Sequence, residues 1–326
     1  MSIIFKPIEV SDREIITSYT MQAGIPICDL SFANLYGWSF LYRTSWAEYE
    51  GNLLIRFYRS HEDPHPRYLL PLSKDGCSEK LAKAIEVLAV IAEKGGYPLS
   101  FMGISPCCRN MLESRFKDQF TFFSDRDWQD YIYLREKMVS LSGKKLQSKR
   151  NLLNRFKAAY PNYRYEIITD ANKDACYELT RQWYKDKSNE EASEDELKLV
   201  RRLIDNRDAI GLQAGSVWVE DRLIGFSLGM PINHDTFDIC VEKADTDIPE
   251  AFAIINNEFA RHIPEQYTYL NREEDLGIEG LRHAKLQYKP VEILLKDTAI
   301  LRTGNTSILD DELVDKEIPS GHTFNQ

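Results

Sequence analysis

The chain has no run of about 18 apolar residues, so no segment reads as a bilayer-spanning helix. Its first residues, MSIIFKPIEVSDRE, hold neither a long apolar core nor a small-residue cleavage site, which excludes a secretory signal pattern. No C-x-x-C pair occurs. The six cysteines (Cys28, Cys77, Cys107, Cys108, Cys176, Cys240) are scattered over the length. They read as reduced thiols, and a cytoplasmic location is expected. Adjacent Cys107 and Cys108 are expected to be packing thiols at a helix start. The six histidines lack ligand spacing; His61 and His65, in HEDPHP, fit a turn-rich surface loop, and no metal site is expected. Positive charge is not in surplus either: 41 Lys and Arg against 51 Asp and Glu give a formal net charge of −10. That balance makes no global case for nucleic acid binding, which needs positive surface.

What is present suits a soluble α+β protein. At 326 residues, 43% hydrophobic and 28% charged, the chain can build two domains, each with a core. Residues 1–140 read α-β-β-α-β-α-β. Ser11 and Glu14 have capping-box spacing, and Leu53–Tyr58 and Tyr68–Leu72 are strand-like. Glu79–Lys94 is an amphipathic helix, and Tyr131–Leu134 is the last strand of this half. Residues 141–302 read β-α-α-β-β-β-α-β-α-β. Strands are expected at Thr236–Val241, Tyr267–Arg272 and, as one element, Val291–Ile300; helices at Glu250–His262 and Ile278–Gln287. Residues 303–326 are polar and aperiodic and are expected to form a tail. Two helices, three antiparallel strands, then strand-turn-helix is the order of the GNAT acyltransferase fold. A tandem of GNAT-like domains follows, each a mixed, mostly antiparallel sheet flanked by helices.

Two stretches are chemically biased. In the first, Lys144, Lys145, Lys149, Arg150, Arg155 and Lys157 crowd a helical pattern whose apolar stripe is Leu146, Leu153, Phe156 and Tyr160. Either the long basic stems lie along apolar surface with their charges in water, or they form a local site for phosphates. In the second, Asn271–Lys285, a strand feeds Glu273, Glu274 and Asp275, and a short helix carries Leu281, Ala284, Lys285 and Tyr288 on one face. A lysine on an inward face needs a partner or a wet cavity.

Four segments carry a family likeness: GKKLQSKRNLLNRF (Gly143 to Phe156), LIGFSLG (Leu223 to Gly229), TFDICVEKA (Thr236 to Ala244) and NREEDLGIEGLRHAKLQYKP (Asn271 to Pro290). Together they resemble the C-terminal, soluble domain of phosphatidylglycerol lysyltransferases and the stand-alone bacterial proteins that share it. The resemblance implies tandem GNAT-like domains related to the Fem-type transferases. It also implies an activity: moving an aminoacyl group from aminoacyl-tRNA to an amine or hydroxyl acceptor. The lysyltransferases carry a membrane-spanning flippase domain as well, and this sequence does not show one, so a lipid acceptor is not expected to carry over. The tRNA would be held through Lys144, Lys145, Lys149 and Arg150.

Acyl transfer needs a base for the acceptor, donors for the developing oxyanion and an acid for the leaving group. In GNAT folds the donor lies where the strand before the main helix parts from its neighbour, here Thr236–Val241 and Tyr267–Arg272. Glu242 and Asp275, at the strand ends, are the candidate bases or amine-binding groups; structural ion pairs are the competing reading. Lys285 would hold a phosphate or polarise the acyl carbonyl, or else pair with Glu273 or Asp275. Tyr288 would protonate the leaving group, and Asn271, Arg272 and Glu273 would contact substrate. Arg282 fits an ion-pair role. The turn Asp245–Pro249 has no glycine, two acids and a proline without an N–H, which disfavours a pyrophosphate. Acyl-CoA is therefore the alternative donor, a non-catalytic binding module is the third reading, and no cofactor is firmly expected.

Overall fold

A computed structural model describes residues 3–74, 78–184 and 190–302. The stretch expected to be a tail, 303–326, lies outside the described residues. The strands are β1 (Lys6–Pro7), β2 (Ser45–Tyr49), β3 (Asn52–Phe57), β4 (Arg67–Leu69), β5 (Leu72–Ser73), β6 (Ser100–Ile104), β7 (Phe120–Ser124), β8 (Asp130–Leu134), β9 (Arg164–Ile167), β10 (Gln213–Val219), β11 (Arg222–Pro231), β12 (Thr236–Ala244), β13 (Tyr269–Asn271), β14 (Glu292–Leu294) and β15 (Asp297–Leu301). The helices are α1 (Arg13–Ala23), α2 (Phe32–Gly37), α3 (Ser39–Tyr42), α4 (Ser78–Gly95), α5 (Pro106–Arg115), α6 (Arg135–Ser140), α7 (Gln147–Ala159), α8 (Lys173–Tyr184), α9 (Glu190–Asp205), α10 (Arg207–Ile210), α11 (Ala251–His262) and α12 (Glu279–Gln287).

Two sheets form. One runs β1-β2-β3-β4-β6-β15-β7, with β5 also on β3; the other runs β14-β8-β13-β12-β11-β10-β9. Each contains one parallel pair, β4 with β6 and β12 with β13, inside an otherwise antiparallel ladder. Strand alternation sorts the side chains into layers. Leu53 and Ile55 face a central core, while Leu54 between them faces the outer core under α4 and α5. On the second sheet Phe226 and Leu228 join the central core, while Val217 and Ile224 face α7 and α11. The central core therefore draws on both halves of the chain: Ile16, Phe32 and Leu53 pack in the same cluster as Leu199, Leu203 and Val241.

The expected division at residue 140 does not coincide with the sheets. Strand β8 sits in the second sheet, antiparallel to β13; β15 returns to the first, antiparallel to β6. Each half thus lends the other the strand beside its parallel pair. The single strand expected over Val291–Ile300 is two strands in different sheets. Charge between them explains the break: Lys296 and Asp297 are both buried and both anchored, Asp297 by Arg109 at 2.8 Å. Of the two thiols expected to pack at the start of α5, Cys108 does and Cys107 is exposed.

The crossing point holds a buried charge cluster. Lys296 Nζ lies 2.8 Å from Asp130 Oδ1, 2.9 Å from Asp29 Oδ2, 3.4 Å from Cys28 Sγ and 3.5 Å from Glu274 Oε2. The other oxygen of Asp130 accepts from the Cys28 N–H at 2.8 Å and from Asn271 Nδ2 at 2.7 Å. Burial alone would push the Asp130 carboxyl up, but Lys296 and these donors overcome it and hold it below its ordinary range. Removing one member of such a pair strands the other charge in the interior. Lys296→Met should cost about 3–5 kcal/mol in a urea titration, and adding Asp130→Asn should recover part of that loss.

Candidate active site

Strands β12 and β13 are hydrogen-bonded over three residue pairs only, Thr236 to Asp238 against Tyr269 to Asn271. Beyond Asp238, β12 runs on to Ala244 along β11 without its neighbour. The sheet is therefore open on one side of Cys240–Ala244. A bulge shapes this opening. Leu228 stands opposite Val241 and Gly229 opposite Ile239, so Cys240 is an extra residue in β12. The bulge requires Gly229, since a Cβ there would lie 2.2 Å from the Asp238 carbonyl oxygen. Because of the extra residue, Asp238 faces α2 while Glu242 faces α11.

Glu242 and Arg272 bridge the opening. Arg272 Nη2 donates to Glu242 Oε1 at 3.0 Å, and both side chains are 11% exposed. Asn256 of α11 donates to the same oxygen at 2.6 Å, and Ser227 of β11 reaches the other at 3.4 Å. The guanidinium lies between two rings, 5.5 Å from the centroid of Tyr133 and 5.1 Å from that of Tyr288. Burial lifts the Glu242 carboxyl above its ordinary range, although Arg272 pulls the other way. Two buried polar atoms here have no hydrogen-bond partner, Arg272 Nη1 and Asn256 Oδ1. The amide orientation follows from Glu242, because a carboxylate needs the NH2 side. A free N–H donor and a free carbonyl acceptor thus flank a carboxylate inside the opening.

Outside this site lies a basic concavity of about 450 Å³ lined by Lys145, Ser148, Lys149, Asn151, Arg155, Gln287 and Lys289, among others. Lys149 joins the two: it is buried, its Nζ is 4.6 Å from the Tyr288 ring centroid, and it donates to Gln287 at 2.5 Å. Burial pushes the Lys149 ammonium down, and the nearby guanidinium of Arg272 adds to that.

The expected site residues divide three ways. Glu242, Arg272 and Tyr288 meet in the opening, with Lys149 and Lys145 on the basic side. Others are committed to structure. Asn271 is fully buried and ties Asp130 to the Pro26 carbonyl, at 2.7 and 2.8 Å. Lys285 donates to the carbonyls of Arg272 (2.6 Å) and Glu274, and burial pushes its ammonium down. Arg150 donates to the carbonyls of Gly143 (2.8 Å) and Leu141. Lys144 is exposed and apart from the concavity lining. Glu273 lies on the α2 side, accepting from Asn34 at 2.8 Å. Asp275 is fully buried and saturated: Arg282, Arg126, Tyr131 and the Gly277 N–H all donate to it. Ser227, Asn256, Tyr133 and Lys289 were not singled out from sequence. The adjacent Asn256 and Asn257, directly after the apolar run Ala251–Ile255, are the signal that could have found one of them, because buried helical asparagines need specific partners.

The ligand atoms of Cys28, Asp130 and Glu274 fall within 4.8 Å of one another, a spacing that suits a metal ion. The Lys296 ammonium, 2.8–3.5 Å from the same three groups, takes the place a cation would hold. The turn at Asp245–Pro249 is likewise filled from within. The Asp245 carboxylate accepts the Asp247 N–H at 3.0 Å and pairs with Arg222, so it occupies the backbone donor a pyrophosphate would need.

Two mixed sheets, each with one parallel pair in an otherwise antiparallel ladder and flanked by helices, place the chain in the tandem GNAT-like fold class. Within that class the chain belongs to the phosphatidylglycerol lysyltransferase C-terminal family, whose model matches residues 25–296. A conserved protein of unknown function from Bacteroides thetaiotaomicron is 42% identical, with a TM-score of 0.87 over 92% of this chain and 100% of that one. The L-PGS structure from Bacillus licheniformis shares the fold at 16% identity, with a TM-score of 0.64 over 96% of this chain and 98% of that one. An uncharacterized protein of Mycoplasmoides gallisepticum is 26% identical over 168 residues, which is 51% of this chain and 54% of that protein. The chain thus matches about half the length of this curated relative. Among the described residues, no helix is long and apolar enough to cross a membrane.

The Asp275 carboxyl tests its own assignment. Burial raises it, but the bonds from Arg282, Tyr131 and Gly277 outweigh burial and leave it below its ordinary value of 3.8. Its contribution to stability is therefore full above the unfolded value and is lost as pH falls through the lower folded one. Asp275→Asn should lower the urea midpoint by a constant amount at neutral pH, and the difference from wild type should shrink below about pH 4.

Proposed function

We propose that the chain is an aminoacyltransferase working in the β12–β13 opening, with aminoacyl-tRNA as donor and an amine or hydroxyl as acceptor. The single observation carrying this reading is the buried Glu242–Arg272 pair, flanked by two unpartnered atoms, Arg272 Nη1 and Asn256 Oδ1. Arg272 Nη1 is the N–H free to stabilise an acyl oxyanion. Glu242 is the base, and a carboxylate with raised proton affinity is better matched to that task near neutral pH. Asn256 Oδ1 is the acceptor free to orient the incoming nucleophile. In the step, the acceptor's N or O attacks the ester carbon and its proton passes to Glu242. The ester C–O bond breaks, and the leaving oxygen takes a proton from the Tyr288 phenol, which is restored from Glu242 or solvent. Lys145, Lys149, Arg155 and Lys289 hold donor phosphates outside.

The filled Asp245 turn favours this donor over acyl-CoA. A readout of transfer from charged tRNA should fall about 10²–10⁴-fold in Glu242→Gln and about 10²–10³-fold in Arg272→Lys, while Asp275→Asn retains transfer wherever it is folded. Retention of tRNA on a filter should weaken with salt, and Lys145→Ala and Lys149→Ala should each lower the slope of log affinity against log salt by about 1. Absence of tRNA retention at low salt, together with a melting midpoint raised by CoA, would replace this donor with acyl-CoA.

A further inference from the structure

The apex of the strand opening carries a second group of side chains, on the face opposite Glu242. Asp238, the last β12 residue paired with β13, is fully buried. Its Oδ2 lies 3.4 Å from Asn34 Nδ2, and its Oδ1 has no hydrogen-bond partner. The Ser31 hydroxyl lies beside it and is itself without a bond of hydrogen-bond geometry. Asn34 Nδ2 also donates to Glu273 Oε1 at 2.8 Å and to the Cys28 carbonyl at 3.0 Å, so one amide is shared among three acceptors, two of them carboxyls. Glu274 and Asp29 continue the group outward to the surface, with side chains 17% and 34% exposed. Tyr42, half-buried at the same mouth, has its phenol pushed up by burial and then by the charges of Glu274, Asp195 and Asp29.

The cations facing this recess are Lys296 and Lys285. Lys296 is matched to Asp130 and Asp29, and Lys285 is held by the backbone carbonyls of Arg272 and Glu274. Asp238 and Glu273 have no cation of their own. Burial first, and then the charge of neighbouring carboxylates, raises both. An acid surplus that reaches the surface at Glu274 and Asp29 and holds an unpartnered oxygen is the complement of an ammonium, which brings three donors and a charge.

We propose that this recess, lined by Asp238, Glu273 and Glu274, seats the acceptor, and that the acceptor is a positively charged primary amine. This rests on the transferase reading and names its substrate class. This acid group and the basic concavity lie on opposite faces of the sheet, on either side of the point where β12 and β13 part. A donor whose phosphates occupy the α7 face leaves the α2 face to the acceptor, whose nucleophile then adds to the acyl carbonyl to form a tetrahedral intermediate before the ester oxygen leaves. Carboxyls there repel a phosphate headgroup and attract an amine. A ligand with two amines would anchor one in the recess and present the other to Glu242.

Calorimetric titration of the full chain tests this without any donor. Putrescine and a lysine-containing tripeptide are the two amine probes, and phosphatidylglycerol vesicles are the anionic one. Saturable binding of either amine is expected, and the tighter of the two identifies a free or a peptide-borne source. Asp238→Asn and Glu273→Gln should each weaken it about ten-fold or more. Their ligand-free melting midpoints should equal or exceed that of wild type, since each removes a like-charge neighbour, and this separates lost binding from lost folding. No amine binding, amine binding unchanged in both variants, or binding of the vesicles alone would overturn the proposal. The tRNA retention of Lys149→Ala reports separately on the transferase reading, so either can fail without the other.

Discussion

The Lys296 ammonium is the constraint on which the arrangement of both sheets depends. It sits where the chain leaves the second sheet after β14 and enters the first at β15. It gathers Asp29 from the loop before α2, Asp130 from the start of β8 and Glu274 from just beyond β13. Each of those carboxylates belongs to a different element, and only a buried cation in their midst allows them to converge. The reciprocal exchange of β8 and β15 is thus pinned at one point. Asn271, the last residue of β13, is bonded into the same cluster through Asp130. The end of β13, and with it the direction in which the strands part, is fixed by the group that locks the halves together.

From that anchor the opening acquires its polarity. The extra residue at Cys240 turns β12 over, so that Asp238 and Glu242, four residues apart, face opposite sides of one sheet. A sheet separates its faces completely unless its strands part. Here they part at Asp238. Positive side chains gather on one side, around Lys145, Lys149 and Lys289, and negative ones on the other, around Glu273 and Glu274. A net charge of −10 conceals this division, because the sum over the chain says nothing of which face each charge occupies.

Much of the fold was legible in sequence because its periods are clean. Helix α4 and the β10–β11–β12 ladder follow from spacing alone, and the parting of β12 from β13 follows from element order. The exchange of strands was not legible. Nothing in DYIYL or in DTAIL says which sheet will hold it, since the pairing depends on partners over a hundred residues away. Lys296 within VEILLKDTAIL was a local sign of the break, as a lysine inside an apolar strand run demands a partner. The candidate site was half legible. Glu242 and Tyr288 lie where the order of elements put them, whereas Asn256 and Tyr133 contribute from elements whose facing depends on packing. The basic segment yielded Lys145 and Lys149 but also Arg150, because periodicity does not distinguish a guanidinium facing a concavity from one capping the carbonyls of its own N-terminal turn.

The two carboxylates expected to serve as base are separated by their surroundings rather than by their positions. Asp275 lies just beyond β13 and Glu242 near the end of β12, and both meet an arginine. Asp275 meets two arginines, a phenol and an N–H, and their combined donation holds it ionised so firmly that it has little tendency to accept a proton. Glu242 meets one guanidinium, one amide and a hydroxyl at 3.4 Å, in a site that burial dominates, and its affinity for a proton rises. Environments that push two acids apart assign them different roles. One keeps a loop with left-handed residues at Glu273, Leu276 and Gly277 in place. The other stands beside an unpartnered N–H and an unpartnered carbonyl, where a reacting group would supply what both atoms lack.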